Sequence, residues 1–240
     1  MQFYIWIVVV GFFSGFVKGI SGFGAILIAL PLLAVFIDIK AAVPLTVMLG
    51  TSASLFLLVK LSKDFEWREI YPIIVGSVPG ILVGVFFLNA LDRDILQLIL
   101  GIFLISYSIY SLFFGSPRLI LGRIWAYIFG FFAGWLGGAI GASGPPVIIY
   151  TSLQPWRKDK INVTLQGFFL ISGLITIFLY SCMGIIATTV LQFFGISLPM
   201  FALGTYIGSY FYGAIDEKLY KKMIYLLLTL LGAFMVYRAT

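Results

Sequence analysis

The 240-residue sequence has no histidine, a single cysteine and few charges of either sign. Without histidine, the commonest general base and metal ligand is missing. The lone Cys182, within the apolar run from Gly167 to Thr189, has no partner for an internal disulfide and reads as a small buried residue. Charged residues make up 10% of the chain, where a soluble domain carries about 25%. All nine acids (Asp38, Asp64, Glu66, Glu69, Asp92, Asp94, Asp159, Asp216 and Glu217) fall in or beside the gaps between apolar stretches. An acid-free interior argues against a cation substrate and against a buried carboxylate proton relay. An integral membrane enzyme would need paired carboxylates, a histidine cluster or an activated cysteine, and the sequence offers none of these. No metal and no cofactor are expected.

What is present is apolar. Hydrophobic residues reach 62% and mean hydropathy is +1.12. Lipid is the solvent that fits such a composition. The net charge of +6 comes from basic residues in short segments between apolar runs, so it reads as a topology signal and no nucleic-acid partner is expected. The N-terminal stretch from Met1 to Trp6 lacks a basic leader and reads as a retained membrane segment.

Candidate spans are Phe3–Ile37, Ala41–Val59, Ile70–Leu91, Ile95–Phe114, Ile124–Leu153, Ile161–Cys182, Ile185–Ile215 and Tyr220–Tyr237. A span needs about 20 residues, so the first and fifth are too long for one helix, and glycine-rich sequence interrupts each. They also resemble one another. Gly11-Phe12-Phe13-Ser14-Gly15-Phe16 matches Gly130-Phe131-Phe132-Ala133-Gly134-Trp135, about 119 residues later. Lys18 to Gly24 lies against Gly137 to Gly144, Gly80/Gly84 against Gly204/Gly208, and Ala90 to Ile95 against Ala214 to Leu219. The same order in both halves marks a duplication.

Loop charge orients the halves. If each long segment crosses once, basic residues divide six against eight, with no bias. If each bends back at its glycines, Lys60, Lys63, Arg68, Arg118, Arg123, Arg157, Lys158, Lys160, Lys218, Lys221 and Lys222 share one side. Only Lys40, Arg93 and Arg238 then remain on the other. That asymmetry is a positive-inside signal. The expected fold is therefore an all-α integral membrane protein of two inverted repeats, each with a broken or re-entrant first helix followed by three transmembrane helices. The first repeat covers 1–115, the second 124–240, and residues 116–123 form a cytoplasmic linker. Both termini lie outside, in a cell membrane. The long segments are either re-entrant hairpins or pairs of tilted short spans.

The two breaks are the candidate site. A helix can restart at Ala25 after Ser21-Gly22-Phe23-Gly24, and another at Pro145-Pro146 after Ser143-Gly144. Serine can cap such a start and proline suits its first turn. Two helix N-termini aimed at one cavity would bind an anion through backbone N–H groups and helix dipoles. The candidate substrate-binding residues are Lys18, Gly19, Ser21, Gly22, Phe23, Gly24, Thr51, Ser52, Gly138, Gly141, Ala142, Ser143, Gly144, Pro145, Gln166 and Ser172. The alternative is that the glycines let helices pack closely, that the hydroxyls join helices, and that Lys18 snorkels to the interface. Trp6, Trp67, Trp125 and Trp156 read as interfacial anchors.

This pattern resembles the TauE/SafE sulfite exporter family. The carrying residues are Gly15 to Gly24 leading into Ala25-Ile26-Leu27-Ile28-Ala29-Leu30-Pro31, Gly134 to Gly144 leading into Pro145-Pro146-Val147-Ile148-Ile149-Tyr150, and the Gly80/Gly84 and Gly204/Gly208 pairs. The resemblance implies transport of a small sulfur-containing or organic anion, such as sulfite or a sulfonate, across a cytoplasmic membrane. Phe23, Ala25, Ala142, Ser143, Pro145 and Lys18 depart from the family's glycine-rich pattern. A passive anion channel is the alternative function. The expected partners are a small anionic substrate and the lipid bilayer, and the sequence leaves the oligomeric state open.

Overall fold

Apolar runs this long, punctuated by glycine and proline, satisfy their backbone groups in lipid only as helices. The computed structural model describes residues 2–61, 65–113, 121–212 and 217–239, and these form helices without strands. In chain order they are α1 Gln2–Ser21, α2 Ala25–Ala34, α3 Ile39–Leu61, α4 Trp67–Ala90, α5 Arg93–Phe113, α6 Arg123–Ile140, α7 Gly144–Leu153, α8 Lys158–Cys182, α9 Thr188–Tyr210 and α10 Glu217–Ala239. Among the described residues, α1, α3, α4, α5, α6, α8 and α9 are long and apolar enough to cross a membrane. Lys63, Asp64, Arg118 and Asp216, with linker residues 116–120, lie outside the described residues.

The long segments are hairpins with unequal arms. α1 has 20 residues and α2 has 10, or about 30 Å and 15 Å of helix. Trp6 near the start of α1 stacks on Phe36 beyond the end of α2, with ring centroids 5.3 Å apart. In the second hairpin, the Gln154 amide after α7 donates to Leu121 O before α6 at 3.2 Å. Each chain segment therefore returns to the end it came from. The two mouths lie at opposite ends of the bundle. Asp38, Arg93, Lys40 and Arg238 gather at the first: Arg93 Nε lies 2.6 Å from Asp38, Lys40 donates to Asn89 O, and Arg238 donates to Ala34 O and Val35 O. Lys160, Glu66 and Glu69 gather at the second, with Lys160 Nζ 2.9 Å from Glu66. α3 spans the distance between these ends, from Ile39 to Leu61.

Packing partners exchange between the halves: α1 lies on α9 and α4 on α6, while α5 meets α10 and α3 meets α8. Glycines four residues apart let the paired backbones touch. A Cβ at Gly204 or Gly208 would strike Phe12 O or Phe16 O on α1, and one at Gly80 or Gly84 would strike Phe131 O or Trp135 O on α6. Gly195, also on α9, has nothing within 4 Å of its would-be Cβ. Gly204→Ala is accordingly expected to cost about 1–3 kcal/mol by overpacking, whereas Gly195→Ala gains up to about 1 kcal/mol from helix propensity. Thermal unfolding of the two variants in detergent checks the contrast.

Cys182 departs from expectation. It is exposed at the last residue of α8, beside the turn at Met183 and Gly184, beyond the part of that helix that packs. Trp6, Trp67 and Trp125 are about half exposed.

Candidate functional site

Each break is formed by glycine in the left-handed region, where a Cβ is disfavoured. Gly22 and Gly24 have φ of 77° and 91°, and Gly141 has 69°. Both breaks open on one cavity. From the first come Phe23, Gly24 and Ala25; from the second, Gly141, Ala142, Ser143 and Gly144. Its remaining wall includes Lys18 on α1, Thr51 on α3, and Ser172 and Thr176 on α8. Gly50, which also lines it, is ten residues along α3 from each of Lys40 and Lys60, so the cavity sits at mid-depth, about 15 Å from either end. It offers about 50 Å³ of free space, room for a few waters or one compact oxyanion.

The two helix starts differ in what they present. In α2 the backbone ladder begins with Ile28 N–H on Gly24 O, which leaves the N–H groups of Ala25, Ile26 and Leu27 ahead of it. In α7, Pro145 and Pro146 have no N–H to give, so that start contributes its dipole and the Gly144 N–H. Neither start is capped by serine as expected. Gly24 occupies the cap position of α2, Ser143 holds that of α7 without a capping hydrogen bond, and Ser21 Oγ instead bonds Val17 O and the Phe23 backbone. The left-handed glycines carry Ser21 past the geometry in which its hydroxyl could meet the new helix.

Lys18 is buried, at 3% exposure, and does not snorkel. Its Nζ donates to Gly50 O at 3.0 Å and to Ser54 Oγ at 2.7 Å, and lies 5.1 Å from the centre of the Phe169 ring. Gly137, its counterpart in the sequence repeat, lines the same cavity. The hydroxyls of Thr51, Ser172 and Thr176 spend their protons on Val47 O, Phe168 O and Ser172 O in their own helices. With those protons committed, the hydrogen-bond donors left in the wall are the backbone and Lys18. Among the described residues, no acid lines it.

The other sequence candidates lie off the cavity wall. Gly19 packs on Thr205 and Ser209 of α9, and Gly138 on Ile81 and Val85 of α4, so both serve helix contact. Ser52 donates to Met48 O, and Pro145 is buried in the first turn of α7. Gly22 and Gln166 support the site from behind. The Gln166 amide donates to Gly22 O at 2.5 Å and to Asn162 Oδ1 at 2.9 Å, fixing the broken backbone. Gln166→Leu would leave Gly22 O unpaired in a fully buried place, at about 1–3 kcal/mol. A lower melting temperature and reduced flux are the expected readouts. Sequence reasoning passed over Gly50, Phe169 and Asn162. Gly50 and Phe169 carry no polar side chain, but Asn162 stands four residues before Gln166, the spacing of neighbours on one helix face.

A bundle with several helices long and apolar enough to cross a membrane, enclosing a cavity at mid-depth, is a multi-pass membrane architecture. The family model described as sulfite exporter TauE/SafE matches residues 7–235, and the chain belongs to that family. Over 153 residues it is 26% identical to a protein of Cupriavidus necator named probable sulfite/organosulfonate exporter TauE, a stretch covering 62% of this chain and 60% of that protein. The chain thus matches somewhat under two thirds of that relative's length. No solved structure matches it.

Proposed function

We propose that the chain exports a small sulfur-containing or organic anion, such as sulfite or a sulfonate, held between the starts of α2 and α7. The observation that carries this reading is the meeting of two helix N-termini and a buried lysine in one cavity that, among the described residues, no acid faces. Dipoles and N–H groups supply a positive potential that attracts an oxyanion and repels a cation. The Cupriavidus necator relative's name, which specifies sulfite and organosulfonates, supports the substrate class. The two halves, 1–115 and 124–240, act as inverted repeats joined by a cytoplasmic linker at 116–123, and opposite hairpin mouths support that arrangement. Both termini lie outside the cytoplasm in a cell membrane, in keeping with the few basic residues at the Asp38 end. Rocking one repeat against the other would open the cavity to each side in turn.

Flux of labelled sulfite, thiosulfate, sulfoacetate and a non-sulfur carboxylate in proteoliposomes tests the proposal. Saturable movement of a sulfur anion, with accumulation against its own gradient when a driving gradient is imposed, is expected. Movement that never saturates or accumulates would make the protein a passive channel. No movement of any of the four by folded protein would remove the substrate class.

A further inference from the structure

We infer that Lys18 makes the cavity take up one proton together with one singly charged anion, so that the bound load is a neutral pair. The inference rests on the proposed anion site and adds the charge and protonation state of what it binds.

Lys18 lies at the level of Gly50, at mid-depth, and its Nζ has two neutral oxygen acceptors. A neutral amine carries two N–H groups and one lone pair, so both observed hydrogen bonds are available without the third proton. An ammonium there would hold a full charge at membrane depth, softened only by these dipoles and by the face of Phe169.

Among the described residues, the surrounding elements supply no counter-ion. On α3 the next ionisable group is Lys60, six residues past Ser54, which donates to Ser209 Oγ and lies over the Tyr210 ring; as a cation it adds to the repulsion. On α9, Thr205 and Ser209 adjoin Gly19, and the exposed Tyr206 and Tyr210 hydroxyls bond each other. On α8, Phe169 and Ser172 face the cavity, and the Tyr180 hydroxyl donates a hydrogen bond to Gly138 O. α2, α4, α6 and α7 bring no titratable side chain to the wall.

The amine is therefore favoured when the cavity is empty and the ammonium when an anion fills it. A proton from the bulk solution, released by its buffer, joins the Nζ lone pair as the anion arrives, and the new N–H points at the anion. Amine, proton and anion give an ammonium–anion pair with no net charge. Linkage makes this reciprocal: the anion raises the lysine's proton affinity, and acid raises the anion's affinity. A doubly charged anion would keep one charge that only helix dipoles could balance, so singly charged anions are preferred.

The test is calorimetric titration of the full chain in nanodiscs with methanesulfonate, a permanent monoanion, and with sulfate, a dianion. Each titration is run in two buffers of different ionisation heat. The wild type should take up as much as one proton per methanesulfonate, and affinity should fall by about tenfold per pH unit where the empty site is neutral. Sulfate should bind more weakly. Lys18→Arg, which stays charged, should bind without proton uptake; Lys18→Met should bind weakly and also without it. Saturable methanesulfonate binding by the wild type, with no proton uptake and an affinity flat from about pH 6 to about pH 9, would overturn the inference and leave the anion site standing. Folded wild-type protein that binds neither anion would overturn both. If Lys18→Arg does not fold, the wild-type proton count and Lys18→Met decide.

Discussion

Gly22→Val and Gly141→Val each abolish transport while the protein still inserts in the membrane; this is the largest expected effect. Both glycines hold the left-handed backbone that breaks the long segments, with φ of 77° and 69°. A β-branched residue in that region costs about 1–3 kcal/mol before any clash. At Gly22 a Cβ would also run into the Asn162 side chain that helps anchor the break. At Gly141 it would come within 3.3–3.5 Å of Ile26, Val47 and Thr46, narrowing the cavity from its second wall. Relief is local, with rotation of the start of α2 or α7 away from the cavity, so flux should drop by more than an order of magnitude while the α1–α9 and α4–α6 contacts persist. Initial flux in proteoliposomes, normalised to inserted protein, measures it. Full flux in both variants would show that the breaks do not shape the transport path.

The second large effect is on affinity. Lys18→Ala removes the group that carries the cation opposite a bound anion and takes one donor from Ser54 Oγ and from Gly50 O, which keeps the Ser54 hydroxyl. Charge-assisted hydrogen bonds are worth about 1.5–3 kcal/mol, so anion affinity should fall by roughly tenfold to a hundredfold. Competition binding in detergent or nanodiscs reads this directly. An unchanged affinity would mean that the lysine serves only to tie α1 to α3.

Much of the architecture was legible because its causes are local. Gly22, Gly24 and Gly141 break their long segments by taking the left-handed backbone that glycine alone adopts readily, and the restart at Ala25 follows at once. Loop charges separated a hairpin from a single crossing, and the charge clusters at Asp38 and at Lys160 fit the hairpin. What the sequence did not reveal depends on contacts between distant segments. Gly19 and Gly138 belong to the same glycine clusters as Gly24 and Gly144. Only the neighbouring helices decide that the first two meet backbone while the others face the cavity. Serine capping failed at Ser21 because the left-handed turn changed where its hydroxyl points. The reduced N–H supply at α7 is readable in Pro145 and Pro146, which mark a helix start and at the same time remove two of its donors. Cys182 was read as buried on its apolar neighbours, but the end of α8 runs past its packing partners.

The central claim is that an anion sits between the starts of α2 and α7. Locating a bromine-labelled sulfonate by anomalous scattering in crystals of the protein tests it most directly. The account predicts a peak bounded by Lys18, Gly24, Ser143 and Gly144. A peak at another place, or none there at a concentration that saturates flux, would contradict it.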